Sequence, residues 1–135
     1  MAKSKGRLLA ELLSSDGTVK RSKNKDSVAA KETGTATSTS TAQKSIITFA
    51  KATYRSAKYI IQITNSTDST YHVTELLLTH DGSTADITEY GTVYTGSAAE
   101  ATFSADISGS NVRLLATPAS GDTMAYKVIL QTIAV

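Results

Sequence analysis

The segment 58–64, KYIIQIT, and the C-terminal segment 124–134, MAYKVILQTIA, decide the fold of this chain. In the first segment an apolar side chain occupies every second position, from Tyr59 through Ile61 to Ile63. The second segment alternates in the same way. Because successive side chains of a β-strand point to opposite faces of the sheet, both segments predict strands that bury one face.

Five further runs of β-branched and aromatic residues precede or separate these two segments, and turn-forming residues divide them. No helical periodicity intervenes, so the pattern predicts an antiparallel all-β protein. Ile60, Leu76 and Ile129 on second faces indicate that some strands are covered on both sides, by another sheet or by a subunit interface. We therefore predict a jelly-roll-like β-sandwich of about seven strands. The predicted strands are residues 45–52, 58–64, 71–80, 85–94, 101–108, 111–116 and 124–134.

Leucines near the N-terminus predict a short amphipathic helix over residues 5–14. Arg7 and Glu11 stand four residues apart on the opposite side of this helix, and Asp16-Gly17 ends the pattern. A helix of about ten residues is marginal alone in water. Its apolar stripe therefore needs a partner. Either the chain's own domain or a neighbouring subunit could supply that partner. The stripe consists of Leu8, Leu9, Leu12 and Leu13.

Residues 19–44 predict an extended arm. A basic cluster opens the segment, and a threonine- and serine-rich run closes it without any large apolar side chain. Residues 1–31 contain eight Lys or Arg against three Asp or Glu, a balance of +5, so the other residues carry −3 of the total of +2. We therefore divide the chain into a basic anchoring arm, 1–44, and a β-sandwich module, 45–135. The residues assigned to anchoring are Leu8, Leu9, Leu12, Leu13, Lys20, Arg21, Lys23 and Lys25.

Composition restricts how the protein is stabilised. A chain of 135 residues with 40% apolar content can bury one core. The absence of cysteine excludes disulfides and thiolate metal ligands, so stability must come from packing or assembly. No apolar run reaches the 18 or so residues of a transmembrane helix, and the N-terminus lacks the apolar region of a signal peptide. We expect no membrane partner.

Candidate catalytic residues are few. His72 and His80 lie on one face of one predicted strand beside apolar residues, so at least one of them is expected to be structural. The sequence contains no nucleophile elbow and no glycine-rich phosphate loop. We therefore predict a non-enzymatic protein with no cofactor.

Three binding chemistries have weak support. Asp81, Asp86 and Glu89 could offer oxygen ligands to calcium, but Asp81-Gly82 is an ordinary hairpin signal, and turn chemistry is favoured. The basic cluster lacks the interleaved aromatic residues that stack on bases, so nucleic acid is not an expected partner. Six tyrosines leave carbohydrate binding open, although most lie in strand patterns typical of core or interface residues.

Several segments in order resemble virion structural proteins of tailed bacteriophages, especially marine and cyanobacterial ones. The opening residues 6–13 and 16–20 are similar to the starts of phage fibre and virion proteins. Members of this family occur in different parts of the particle and carry no catalytic residues to transfer. The segments that carry the main resemblance are 54–64, 73–82, 88–94 and 103–118.

The resemblance implies a virion structural protein that is made in the bacterial host cytoplasm. The first hypothesis is a capsid decoration or cement protein, whose arm binds other virion proteins such as capsid or tail subunits. The alternative is a tail or head fibre module that binds a host surface receptor or glycan. We expect a symmetric homo-oligomer, with a trimer as the favoured number.

Overall fold

The computed structural model describes residues 23–25, for which it gives the backbone alone, and residues 28–135. This part of the chain forms nine β-strands and no helix. The strands pair antiparallel in two sheets, ordered β1-β2-β9-β4-β5-β6 and β3-β8-β7. They are β1 Lys23–Lys25, β2 Ala29–Ser38, β3 Lys44–Ala50, β4 Tyr54–Asn65, β5 Thr70–His80, β6 Ala85–Tyr94, β7 Ala101–Ser108, β8 Asn111–Pro118 and β9 Met124–Ala134.

Strands β4 and β9 form the centre of the larger sheet because their apolar positions coincide in register. Tyr59 lies opposite Leu130, and Ile61 lies opposite Val128. On the other side of β4, Leu76 of β5 also lies opposite Tyr59. All five side chains are almost completely buried. The alternation that predicted these strands therefore places one continuous apolar layer on one face of the sheet.

The smaller sheet covers this layer. Val112 and Leu114 of β8 and Phe49 of β3 are buried in the same core cluster as the inward residues of the larger sheet. This packing confirms the predicted all-β antiparallel sandwich, and each of the seven predicted strands corresponds to an observed one. The finer jelly-roll arrangement is not specifically supported by two sheets of six and three strands. The predicted N-terminal helix, residues 5–14, lies outside the described residues.

Strand β2 lies in a segment that the sequence assigned to the arm. It pairs with β9 along its whole length, from Ala29 opposite Ile133 to Ser38 opposite Met124. Its inward positions are mostly small, and a Cβ added to Gly34 would stand 3.0 Å from Ile47 Cδ1. Small side chains let the backbone approach the smaller sheet closely, and they leave no large apolar signal in the sequence. The sheet therefore begins before the predicted module boundary at residue 45.

The turn between β5 and β6 is organised by Asp81. Its Oδ1 accepts hydrogen bonds from the amides of Ser83 and Thr84, each at 2.7 Å. Gly82 adopts a φ of 101°, which favours glycine. The amide hydrogen bonds, that of Thr84 first, lower the pKa of Asp81. This geometry agrees with the turn interpretation of the Asp81-Gly82 pair.

A β-bulge interrupts β6, which is an edge strand of the larger sheet. The register shifts between Val73, opposite Val93, and Glu75, opposite Tyr90, and Gly91 in the bulge has a φ of 64°. The extra residue places both Tyr90 and Val93 on the side of the sheet that points away from the smaller sheet.

The core makes a direct prediction about stability. Leu114→Ala, at a fully buried position, should lower the free energy of unfolding by about 2–5 kcal/mol, because the lost contacts leave a cavity. The control change Val93→Ala, at a side chain that is 64% exposed, should change it by less than about 0.5 kcal/mol. Urea unfolding followed by circular dichroism measures both values. Equal losses of unfolding free energy in the two variants would contradict the assignment of one position to the core and of the other to the exposed face.

The Asp81 turn predicts an acid-dependent loss of stability. Because the folded pKa is lower than the unfolded one, ionised Asp81 stabilises the protein above pH ~4, and this contribution is lost as pH falls through the folded pKa. Asp81→Asn keeps an acceptor for the turn amides but does not titrate. Between pH 7 and pH ~2 the unfolding temperature should therefore decline less steeply for the variant than for the unaltered protein. Identical declines of the unfolding temperature in the two proteins would contradict this prediction.

Candidate functional site

The outer face of the larger sheet, which points away from the smaller sheet, exposes a group of large apolar side chains. Their exposed fractions run from 37% for Ile60 and Ile129 to 64% for Val93. Single exposed apolar residues are ordinary, whereas a contiguous group indicates a binding surface. The group consists of Ile60, Tyr71, Val73, Leu77, Tyr90, Val93, Ile129 and Ile133.

Strand register brings these side chains together. Ile129 of β9 lies opposite Ile60 of β4, and Ile60 lies opposite Glu75 of β5. Glu75 in turn lies opposite Tyr90 of β6. Because directly opposed side chains are in contact distance across strands, one continuous row crosses four strands of the outer face.

Two concave regions divide the outer face. The larger one, here called the lower groove, has a volume of about 970 Å³ and crosses β2, β9, β4, β5 and β6. Its apolar side chains include Leu77 and Ile133, and small residues such as Ala29 and Ser56 also line it. Small side chains between larger ones account for the concave shape. The charged residues along it are Lys31, Lys58 and Asp86.

The second region, here called the upper groove, has a volume of about 390 Å³. It is nearer the β4–β5 turn and combines apolar and hydrogen-bonding side chains. Gln62 offers both a donor and an acceptor, and the hydroxyls of Thr33 and Thr35 can do either. Pockets that bind small polar ligands have this mixture of apolar wall and a few polar groups. The other lining side chains are Ile60, Val73, Lys127 and Ile129.

A polar cluster lies where the two grooves meet. Lys58 Nζ lies 3.2 Å from Glu75 Oε2. This hydrogen bond raises the pKa of Lys58 and lowers that of Glu75, and a hydrogen bond from Tyr90 lowers the pKa of Glu75 further. Because both charged side chains are about a third exposed, their pairing contributes little to stability. The Tyr90 hydroxyl and the Lys58 ammonium group therefore lie beside the same carboxylate on the surface.

Buried polar side chains fix the loops at the upper end of the sandwich. Asn65 Nδ2 donates to Glu100 Oε2 at 3.0 Å and to Asp122 Oδ2 at 2.9 Å. The other carboxylate oxygen of Glu100 accepts a hydrogen bond from the Thr70 hydroxyl. Asn65 and Glu100 are both buried. The cluster therefore ties together the connections that follow β4, β6 and β8, beside the end of β5 that carries Tyr71.

Both histidines of the sequence are buried and belong to the framework. His80 Nε2 lies 2.7 Å from the Tyr54 carbonyl oxygen, and the Gly82 amide donates to His80 Nδ1. The Glu100 amide donates to His72 Nδ1 at 3.2 Å, and burial lowers the pKa of His72. An imidazole that accepts at Nδ1 is neutral, with its proton on Nε2. These bonds agree with the expectation that at least one histidine is structural.

The residues assigned to anchoring lie largely outside the described part of the chain. Within β1, the backbones of Lys23 and Lys25 pair with Glu32 and Ala30 of β2. The sequence did not identify the outer face as a site, although it placed Ile60 and Ile129 on second faces. Leu76, which it grouped with them, lies in the core instead. The anchoring residues that are not described are Leu8, Leu9, Leu12, Leu13, Lys20 and Arg21.

Residues 28–135 contain no group of three or more His, Asp or Glu side chains arranged to hold a metal ion. Among the described residues, no helix has the length and apolar character needed to span a membrane.

Comparison with known proteins gives similarity to solved structures only. No protein-family model matches the chain, and no curated protein matches it. The tailspike protein of Acinetobacter phage vB_ApiP_P1 is 21% identical with a TM-score of 0.53, and the match covers 75% of this chain and 22% of the tailspike.

Two other tailspikes give weaker structural matches. The tailspike gp49 of Acinetobacter baumannii bacteriophage Fri1 is 20% identical with a TM-score of 0.47, covering 84% of this chain and 21% of gp49. The tailspike of Acinetobacter baumannii phage AM24 is 9% identical with a TM-score of 0.47, and the match covers 78% of this chain and 26% of the tailspike. The chain thus spans about a quarter or less of the length of these proteins.

The comparison corrects the prediction of a non-enzymatic protein. Fri1 gp49 is described as a capsular polysaccharide depolymerase, which is an enzyme. The prediction rested on the absence of a nucleophile elbow and of phosphate loops, whereas cleavage of a glycosidic bond can be performed by carboxylates alone. The absence of those motifs therefore did not justify the prediction. At these identities the likeness concerns the fold, and the β-sandwich of this chain is similar to part of the vB_ApiP_P1 tailspike.

Proposed function

We propose that this chain is a module of a phage tail-fibre or tailspike type of virion protein, and that its upper groove binds a host surface polysaccharide. The observation that carries the proposal is the upper groove itself, where an amide and several hydroxyls lie beside exposed apolar side chains. The fold similarity to the vB_ApiP_P1 tailspike supports the particle context. Location in the virion and assembly as a homo-oligomer, with a trimer favoured, belong to the same proposal.

The side chains of the upper groove suit the surface of a sugar ring. A pyranose ring has apolar C–H faces and a rim of hydroxyls, so it needs both apolar contact and directed hydrogen bonds. Ile60 and Ile129 supply an apolar floor, and Gln62 can donate to one hydroxyl and accept from another. Tyr90 lies on the same row as the floor, and an amphipathic tyrosine ring can contact a sugar face while its hydroxyl stays polar.

Charge adds a preference among polysaccharides. Lys127 lines the upper groove, and none of the Asp or Glu residues among residues 28–135 lines it. An exposed ammonium group attracts anionic ligands, and this attraction weakens with added salt. We therefore expect the groove to favour polysaccharides that contain uronic acids or other acidic sugars over neutral ones.

The structure supports this function better than a role in capsid decoration. A tail module is supported by the similarity of the fold to the vB_ApiP_P1 tailspike. The outer face presents its groove on a rigid sheet whose neighbouring loops are fixed by the Asn65–Glu100 hydrogen bond. Rigid elements hold ligand-binding groups more precisely than loops do.

The proposal predicts a specific loss of binding. Gln62→Ala should weaken binding to a retained acidic polysaccharide by about two- to tenfold, since it removes a hydrogen bond worth about 0.5–1.5 kcal/mol. Gln131→Ala is the matched control, because it removes the same amide from the lower groove of the same face. A panel of immobilised capsular and O-antigen polysaccharides, measured by biolayer interferometry at two salt concentrations, tests both variants.

Cleavage is scored in the same incubations by the release of reducing ends. Retention of an acidic polysaccharide, with selective loss in Gln62→Ala, would support the proposal. Failure of the unaltered chain to retain any polysaccharide of the panel would overturn it. Equal weakening by Gln62→Ala and Gln131→Ala would place the binding surface elsewhere than in the upper groove.

A further inference from the structure

The lower groove is an apolar surface that residues 28–135 do not cover and that the proposed function does not use. Leu77 and Ile133, at 46% and 57% exposed, stand on its sides. Burial of apolar side chains of this size contributes about 1.5–3 kcal/mol each, so a surface of this kind favours an occupant. The concave shape suits a convex body such as a helix better than a second flat sheet.

We infer that residues 5–14 of the same chain pack into the lower groove through their leucine stripe. The sequence predicts an amphipathic helix for these residues and requires a partner for Leu8, Leu9, Leu12 and Leu13. The groove supplies the complementary apolar surface within the same molecule. Each of the two otherwise exposed apolar surfaces thereby covers the other.

The dimensions of the two parts agree. A ten-residue helix is about 15 Å long. Five adjacent strands are about 19 Å across from the first to the last, so the helix can lie along the groove over strands β2 to β6.

The point at which the chain reaches the described structure supports the same occupant. Strand β1 pairs with β2 at Ala30 and Glu32, and Ala29, Ala30 and Lys31 form one end of the lower groove. The segment 15–22, which connects the leucine segment to β1, can extend about 26 Å. This is sufficient to reach any part of the groove from β1.

The charged side chains of the segment do not oppose this packing. Arg7 and Glu11 lie on the side of the predicted helix opposite the leucine stripe, so they stay in solvent when the stripe enters the groove.

Disulfide trapping tests this contact directly, because the chain contains no cysteine of its own. The test variant carries Leu12→Cys and Leu77→Cys in the full-length chain. The control variant carries Leu12→Cys and Ser108→Cys, where Ser108 is the last residue of β7 in the smaller sheet. A disulfide forms only if the two Cα atoms approach within about 7 Å. Mild oxidation followed by non-reducing electrophoresis and peptide mapping gives the readout.

The expected result is an intrachain disulfide in the test variant and none in the control. Adding Leu8→Asp and Leu9→Asp should abolish it, whereas Ala10→Asp with Ser14→Asp, the same change in charge away from the stripe, should preserve it. Failure to form the disulfide, equal yields in test and control, or a disulfide only between two chains would each overturn the inference. None of these outcomes depends on polysaccharide binding.

Discussion

The register between β4 and β9 is the constraint on which the rest of the structure depends. Ile61 opposite Val128 and Tyr59 opposite Leu130 place two apolar rows on the same face. A shift of one residue between the strands would turn one of these rows to solvent and bring polar residues of that strand into the core. The same register also fixes the outer face, because Ile60 and Ile129 are brought opposite each other by the pairing that buries their neighbours.

Strands with large alternating residues could be predicted from the sequence, and β2 could not. Its inward positions include Ala30 and Gly34, whose side chains carry almost no hydrophobic signal. What makes this segment a strand is its pairing with β9 and its close approach to Ile47, and both are tertiary features. A threonine-rich sequence is compatible with a solvated arm and with a strand, and only the presence of a neighbour distinguishes them.

The candidate site was less predictable than the fold for a similar reason. Tyr90 and Val93 occupy positions three residues apart, so strict alternation assigns them to opposite faces. The bulge at Gly91 brings both to the outer face. The glycine is visible in the sequence, but a lone glycine does not show that a strand continues through it. The grooves depend on the sizes of side chains that come from several neighbouring strands, which no local pattern encodes.

A single sheet thus uses its two faces in different ways. The inner face is covered by β3 and β8, against which the large inward side chains of the central strands are buried. The outer face retains apolar rows that the described residues do not cover, and a soluble β-protein that exposes such rows risks edge or face association. Covering the lower groove with a segment of the same chain would reduce this risk while leaving the upper groove open. In the two proposals above, a polysaccharide uses the apolar surface near the upper groove, and the chain's own leucine segment uses that of the lower groove.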